Sequence, residues 1–122
     1  MKNVIAAAIL LAASACAQAV CEQGDLSGKW KLFMTNSTDW GICTVKFSAS
    51  SGAAKGSCKS SQGKDSVKGK FKLDSSCALT GYIDDGEVRG NLKGAQLSRD
   101  RQAMHGIIEL FGSGVLFSAL KV

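Results

Sequence analysis

Leu26-Ser27-Gly28-Lys29-Trp30-Lys31-Leu32 reads with a period of two. Leu26, Gly28, Trp30 and Leu32 share one face, and Ser27, Lys29 and Lys31 share the other, the pattern of a strand with one buried side. The largest side chain of the stretch stands two residues from a glycine. Later segments repeat the theme as apolar-x-Gly-x-apolar around Gly56, Gly69, Gly81, Gly90 and Gly106. Glycine weakens a strand unless the backbone must bend or another group must come close. Inward glycines in successive strands therefore predict a sheet coiled tightly around the Trp30 indole. Leu32, Val45, Phe47 and Phe71 complete the expected core.

The rest of the chain keeps that rhythm. Alternating segments fall at residues 26–34, 42–47, 54–58, 66–73, 77–83, 88–93, 104–108 and 115–122, with a bulge expected at Gly94 before residues 95–99. In the last segment both faces are apolar, which leaves its inward side open. With no proline in the chain, the turns depend on Gly, Ser, Asn and Asp, as in Asp74-Ser75-Ser76 and Asp84-Asp85-Gly86. No helical periodicity is sustained after the N-terminal segment. The expected fold is all-β, a small antiparallel up-and-down barrel of about eight strands. A flat sandwich with glycines making room for large side chains is the competing architecture. A barrel of this size is filled by side chains or holds one small ligand, expected here beside Trp30.

The first residues carry Lys2, an apolar run over residues 4–13, and the small-residue sequence Ala17-Gln18-Ala19. That order matches a secretion signal over residues 1–19, with a run too short to remain as a membrane span. The folded domain is then residues 20–122. Five cysteines, an odd number, ask for an explanation in an exported chain. Cleavage after Ala19 removes Cys16 and leaves four. Alternatively, Ala13-Ser14-Ala15-Cys16 resembles a lipobox, so that the signal ends before a lipidated Cys16, the only route to a membrane. Both readings leave Cys21, Cys43, Cys58 and Cys77 for two disulfides in an oxidising compartment. Four cysteines allow three pairings. In a meander, Cys21 and Cys77 start strands at one rim, while Cys43 and Cys58 lie opposite one another in a hairpin at the other. Cys43–Cys58 and Cys21–Cys77 are therefore the expected bonds.

Catalytic patterns are lacking. One histidine and no Cys-x-x-Cys pair give no basis for a metal site. His105 stands on an outward face with no Gly-x-Ser-x-Gly elbow, Asp84 and Asp85 share a turn without converging, and no phosphate loop follows a strand. The expectation is a protein that is not an enzyme and uses no cofactor.

Charge offers two surface candidates. Formal net charge is +5, modest for a nucleic-acid binder. Lys68, Lys70 and Lys72 share the outer face of one strand. They read either as a solvated face protecting a sheet edge or as a patch for an anionic envelope component. The absence of interleaved arginines and aromatics argues against nucleic acid. Arg99 and Arg101, within Ser98-Arg99-Asp100-Arg101-Gln102, form either a plain charged turn or a recognition loop.

Gly28-Lys29-Trp30 at the start of such a meander resembles the opening of the small calycin-type barrels: lipocalins, avidins and bacterial metalloprotease-inhibitor lipoproteins. The resemblance implies a non-catalytic barrel that binds a ligand or blocks a protease. The inhibitors insert a free N-terminal arm, whereas here Cys21 anchors that arm. The reading is an exported, periplasmic or envelope-associated binding module for a small apolar ligand, an anionic envelope component or a protein. The alternatives are a periplasmic protease inhibitor and a structural surface lipoprotein.

Overall fold

Each strand hydrogen-bonds to the next in sequence, and the last returns to the first, so that no strand has a free edge. The structure, a computed structural model, describes residues 20–36 and 39–122. The expected secretion signal over residues 1–19, with Cys16, lies outside the described residues. The strands are β1 (Gly28–Thr35), β2 (Trp40–Phe47), β3 (Ala53–Ser60), β4 (Gly63–Leu73), β5 (Ala78–Asp84), β6 (Arg89–Leu97), β7 (Ala103–Leu110) and β8 (Ser113–Lys121). All pairings are antiparallel. The barrel is the expected one, and the sandwich is excluded.

Alternation sets the inside. Trp30, Leu32, Val45, Phe47, Phe71 and Gly90 are buried, while Gly28, Gly69 and Gly81 are half-buried. The Phe47 and Phe71 rings pack at 4.9 Å between centroids. The side that β8 turns inward is Val115, Phe117 and Ala119, leaving Leu116 and Leu120 outside. The register slips at two places, between Leu79 and Tyr82 and between Lys93 and Gln96. The second contains Gly94, as expected, in a left-handed conformation. Residues 95–99 belong to the same strand as residues 89–93 up to Leu97.

Strand ends are corrected: β2, β3 and β4 run further into the expected loops at residues 40–41, 59–60 and 63–65, and β5 starts at Ala78, one residue after Cys77. Residues 26 and 27 do not belong to β1; Gln23–Leu26 forms a 3-10 turn, and the strand starts at Gly28. The turn serves as a plug. Leu26 is wholly buried, and its carbonyl accepts a 2.9 Å hydrogen bond from Trp30 Nε1. A straight strand could not fold that carbonyl back onto the indole four residues later.

Several contacts hold the plug in place. Gln23 Nε2 donates to the Phe71 carbonyl at 2.8 Å, and its Oε1 accepts from the Leu73 amide at 2.9 Å. Cys21 is bonded to Cys77. Lys121 reaches across from β8, donating to the Asp25 carbonyl with its ammonium 5.7 Å from the Trp30 ring centre. The second disulfide, Cys43–Cys58, joins directly opposed residues of β2 and β3. It closes a loop of 15 residues, worth on the order of 3 kcal/mol in the chain-entropy picture. Both bonds fit an oxidising, extracytoplasmic setting.

Candidate functional site

Because strand directions alternate, the end away from the plug gathers the end of β1, the start of β2, and so on around the ring. A cavity of about 300 Å³ opens there. Met34, Val67, Ile83, Ile108, Leu110 and Val115 line it, with Cys58 of the second disulfide in the wall. All of these residues, Cys58 included, occupy inward strand positions, so the cavity is the upper end of the core left unfilled. Trp40 and Phe111 stand at its rim, 46% and 87% exposed.

This corrects the expected location. The space around Trp30 is filled, its side chain being 0% exposed. The cavity belongs to the opposite end, beside Trp40. The plug accounts for the difference, since Leu26 occupies the volume a ligand near Trp30 would need.

Polar groups ring the mouth: Asp39, Asp65, Asp84, Asp85 and Lys59. Asp39 ties two loops together, accepting from Ser61 Oγ at 2.7 Å and from the Trp40 amide at 2.8 Å. Asp84 accepts from the Gly86 amide and pairs with Arg89 at 3.1 Å. Asp85 accepts from the amides of Glu87 and Val88. Asp65 is different. It lies directly opposite Cys58, on the inward register, and forms no ion pair among the described residues.

The hydrogen bonds at these turns have a pH consequence. The Ser61 hydroxyl and then the Trp40 amide hold the Asp39 carboxyl below its ordinary value. At the plug, the Glu22 amide and then Arg101 do the same for Asp25. Bonds to the Gly86 amide and then to Arg89 lower Asp84. A carboxyl depressed in the folded state contributes stability above its unfolded value, and that contribution is lost as pH falls through the folded one. Thermal melts should therefore hold level down to about pH 4 and drop steadily below it. Asp25→Asn should melt lower than the parent at neutral pH and show a shallower acid decline.

The surface candidates separate. Lys68, Lys70 and Lys72 are exposed on β4, as expected. Because β4 is paired on both sides, these lysines protect no edge. Arg101 is committed to the plug: its Nε pairs with Asp25 at 3.0 Å, and its Nη2 donates to the Val20 carbonyl at 2.6 Å. It is a clamp, not a free recognition anchor. Arg99 stays exposed beside it. Residues 20–26 are pinned by these contacts and by Cys21–Cys77, so a free inhibitory arm cannot include them. His105 is exposed on β7. Among the described residues no group of His, Cys, Asp or Glu is arranged to hold a metal ion.

The sequence reading missed the mouth residues. Trp40 was visible as an aromatic closing a loop, but residues from eight strand ends converge only once closure is known.

No protein-family model matches the chain, and no curated protein is significantly similar to it. Among solved structures, the chain is similar to a redesigned β-barrel, mFAP1, whose structure holds DFHBI. The TM-score is 0.68 at 14% identity, over 83% of this chain and 100% of that one. At that identity the likeness is one of fold, that of an eight-stranded antiparallel barrel.

Proposed function

We propose that the protein is an exported, envelope-associated and non-catalytic binding module that takes a small, mainly apolar molecule into the mouth of its barrel. The observation that carries this reading is the 300 Å³ apolar cavity opposite the plugged end. It is a concave site with an apolar floor beneath a polar rim, and small-molecule sites combine apolar linings with placed polar groups in this way. Asp65, on the inward register and in no ion pair among the described residues, suits a hydrogen-bond donor or positive charge at the ligand's outer end. Export is supported by the leader pattern of residues 1–19 and by the use of four cysteines in two disulfides.

The test uses N-phenyl-1-naphthylamine, a neutral apolar probe that brightens when it leaves water. Its emission should rise on adding the protein. Val115→Phe, which fills the cavity from β8, should abolish the rise while leaving the thermal melt within a few degrees of the parent. Probe binding that survives Val115→Phe, or no binding at all, would remove the proposal's basis.

A further inference from the structure

The register places Lys29 opposite Lys46, Lys46 opposite Lys55, and Lys55 opposite Lys68, so that four lysines form one unbroken row across β1, β2, β3 and β4. All four are exposed on the outer wall, and none forms an ion pair among the described residues. The row stops where Asp84 lies opposite Lys68 and pairs with Arg89. A shallow depression lies between Lys29, Lys46 and Lys55.

Like charges directly opposed across strands are destabilising, and this row repeats the juxtaposition three times running. Solubility does not call for it. Interspersing the same lysines with acids would serve as well, as the rest of the barrel does with Lys93 and Glu109, paired at 3.3 Å. Edge protection does not call for it either, since the barrel has no edge. Between Lys29 and Lys72 the only acids are Asp39 and Asp65, both at the mouth. The positive charge is thus concentrated on one half of the wall.

We infer that this row is a binding site for a flexible linear polyanion, a chain carrying anionic groups at regular intervals. Neighbouring strands in an eight-stranded barrel face directions about 45° apart, so a row across four strands spans an arc no plane can touch at once. A bilayer would reach two strands of it, whereas a pliable chain can follow the curve. Lysine suits such a partner as a point charge without a demand for planar, two-pronged geometry. No aromatic side chain stands within the row to stack bases, which sets it apart from a single-stranded nucleic-acid groove.

Fluorescently labelled polyphosphate, followed by anisotropy with the mature protein, tests the site; labelled dextran sulfate and alginate show whether phosphate, sulfate or carboxylate is preferred. Four ammonium contacts predict a loss of affinity on the order of 50-fold between 50 and 200 mM salt. Lys29→Gln with Lys46→Gln should weaken binding on the order of tenfold at physiological salt and raise the melting temperature by relieving repulsion. Lys59→Gln with Lys64→Gln removes the same charge off the row, opposite one another and four residues along the strands from Lys55 and Lys68, about 13 Å away; it should weaken binding no more than about twofold, the Debye length being about 8 Å at that salt. Equal losses from the two double variants would overturn the site. So would a lower melting temperature of the Lys29/Lys46 variant, absence of binding to all three polymers, or preferential binding to phosphatidylglycerol vesicles that depends on β3 and β4 lysines alone.

Discussion

Replacing Trp30 by alanine should lower the unfolding free energy by about 3–5 kcal/mol, the range for emptying a large aromatic site in a packed core. A domain of this size has on the order of 5–15 kcal/mol in total, so the variant survives only marginally, with both disulfides intact. The cost has two separable parts. The indole fills the lower barrel with 0% exposure, and its N–H satisfies the buried Leu26 carbonyl at 2.9 Å. Trp30→Phe keeps most of the volume and removes the donor, leaving that carbonyl unpaired at about 1–3 kcal/mol. Urea unfolding of the three proteins separates volume from hydrogen bond. Trp40→Phe is the internal control: at 46% exposure on the rim, it should change stability by no more than about 0.5 kcal/mol. If the Trp30 and Trp40 variants lose stability equally, the plugged end does not anchor the fold.

The barrel was legible because its determinants are local. Period-two alternation assigns an inner and an outer face to each strand without reference to any other. Asp84-Asp85-Gly86 announces its turn, and the inward glycines declare curvature. The disulfides followed from counting strand directions, which a meander fixes once its strands are ordered. The plug was not legible. Leu26 has the correct parity to continue the strand, and nothing in Leu26-Ser27-Gly28 reveals that the chain bends beneath the barrel. That bend is decided by Trp30 and Gln23, whose partners, the carbonyls of Leu26 and Phe71, are backbone atoms and leave no trace in composition.

The same division governs the candidate sites. An unfilled cavity is a deficit of volume summed over strand ends, and no single residue signals it. Met34 and Ile108 look like any other core positions. The lysine row was within reach, since the hairpin register that sets Cys43 opposite Cys58 also sets Lys46 opposite Lys55. Extending that register to Lys29 and Lys68 requires the loop lengths on either side, and alternation overstates both: residues 35–41 and 59–65 read as loops, where the connections are only residues 36–39 and 61–62.

Adding one methyl group at Gly56 should cost at least about 3 kcal/mol, the upper end for overpacking, because what it meets cannot move. A Cβ there would overlap the Thr44 carbonyl oxygen and come within 2.8 Å of the Val45 Cα, both backbone atoms of the neighbouring strand. Gly56 has no left-handed conformation to confuse the measurement, so Gly56→Ala isolates the closeness of β2 and β3. Gly81→Ala combines two costs: its φ is +129°, and its Cβ would strike the Lys70 carbonyl. It should be the worse of the pair. Gly63→Ala supplies the comparison, with a φ of +124° and nothing within 4 Å, so that only backbone strain of about 1–3 kcal/mol remains. The order of denaturation midpoints is then Gly63→Ala above Gly56→Ala above Gly81→Ala. Were Gly56→Ala to unfold at the same urea concentration as Gly63→Ala, the strands would have slack between them. The glycines would then be bystanders and not the reason eight strands can close this tightly.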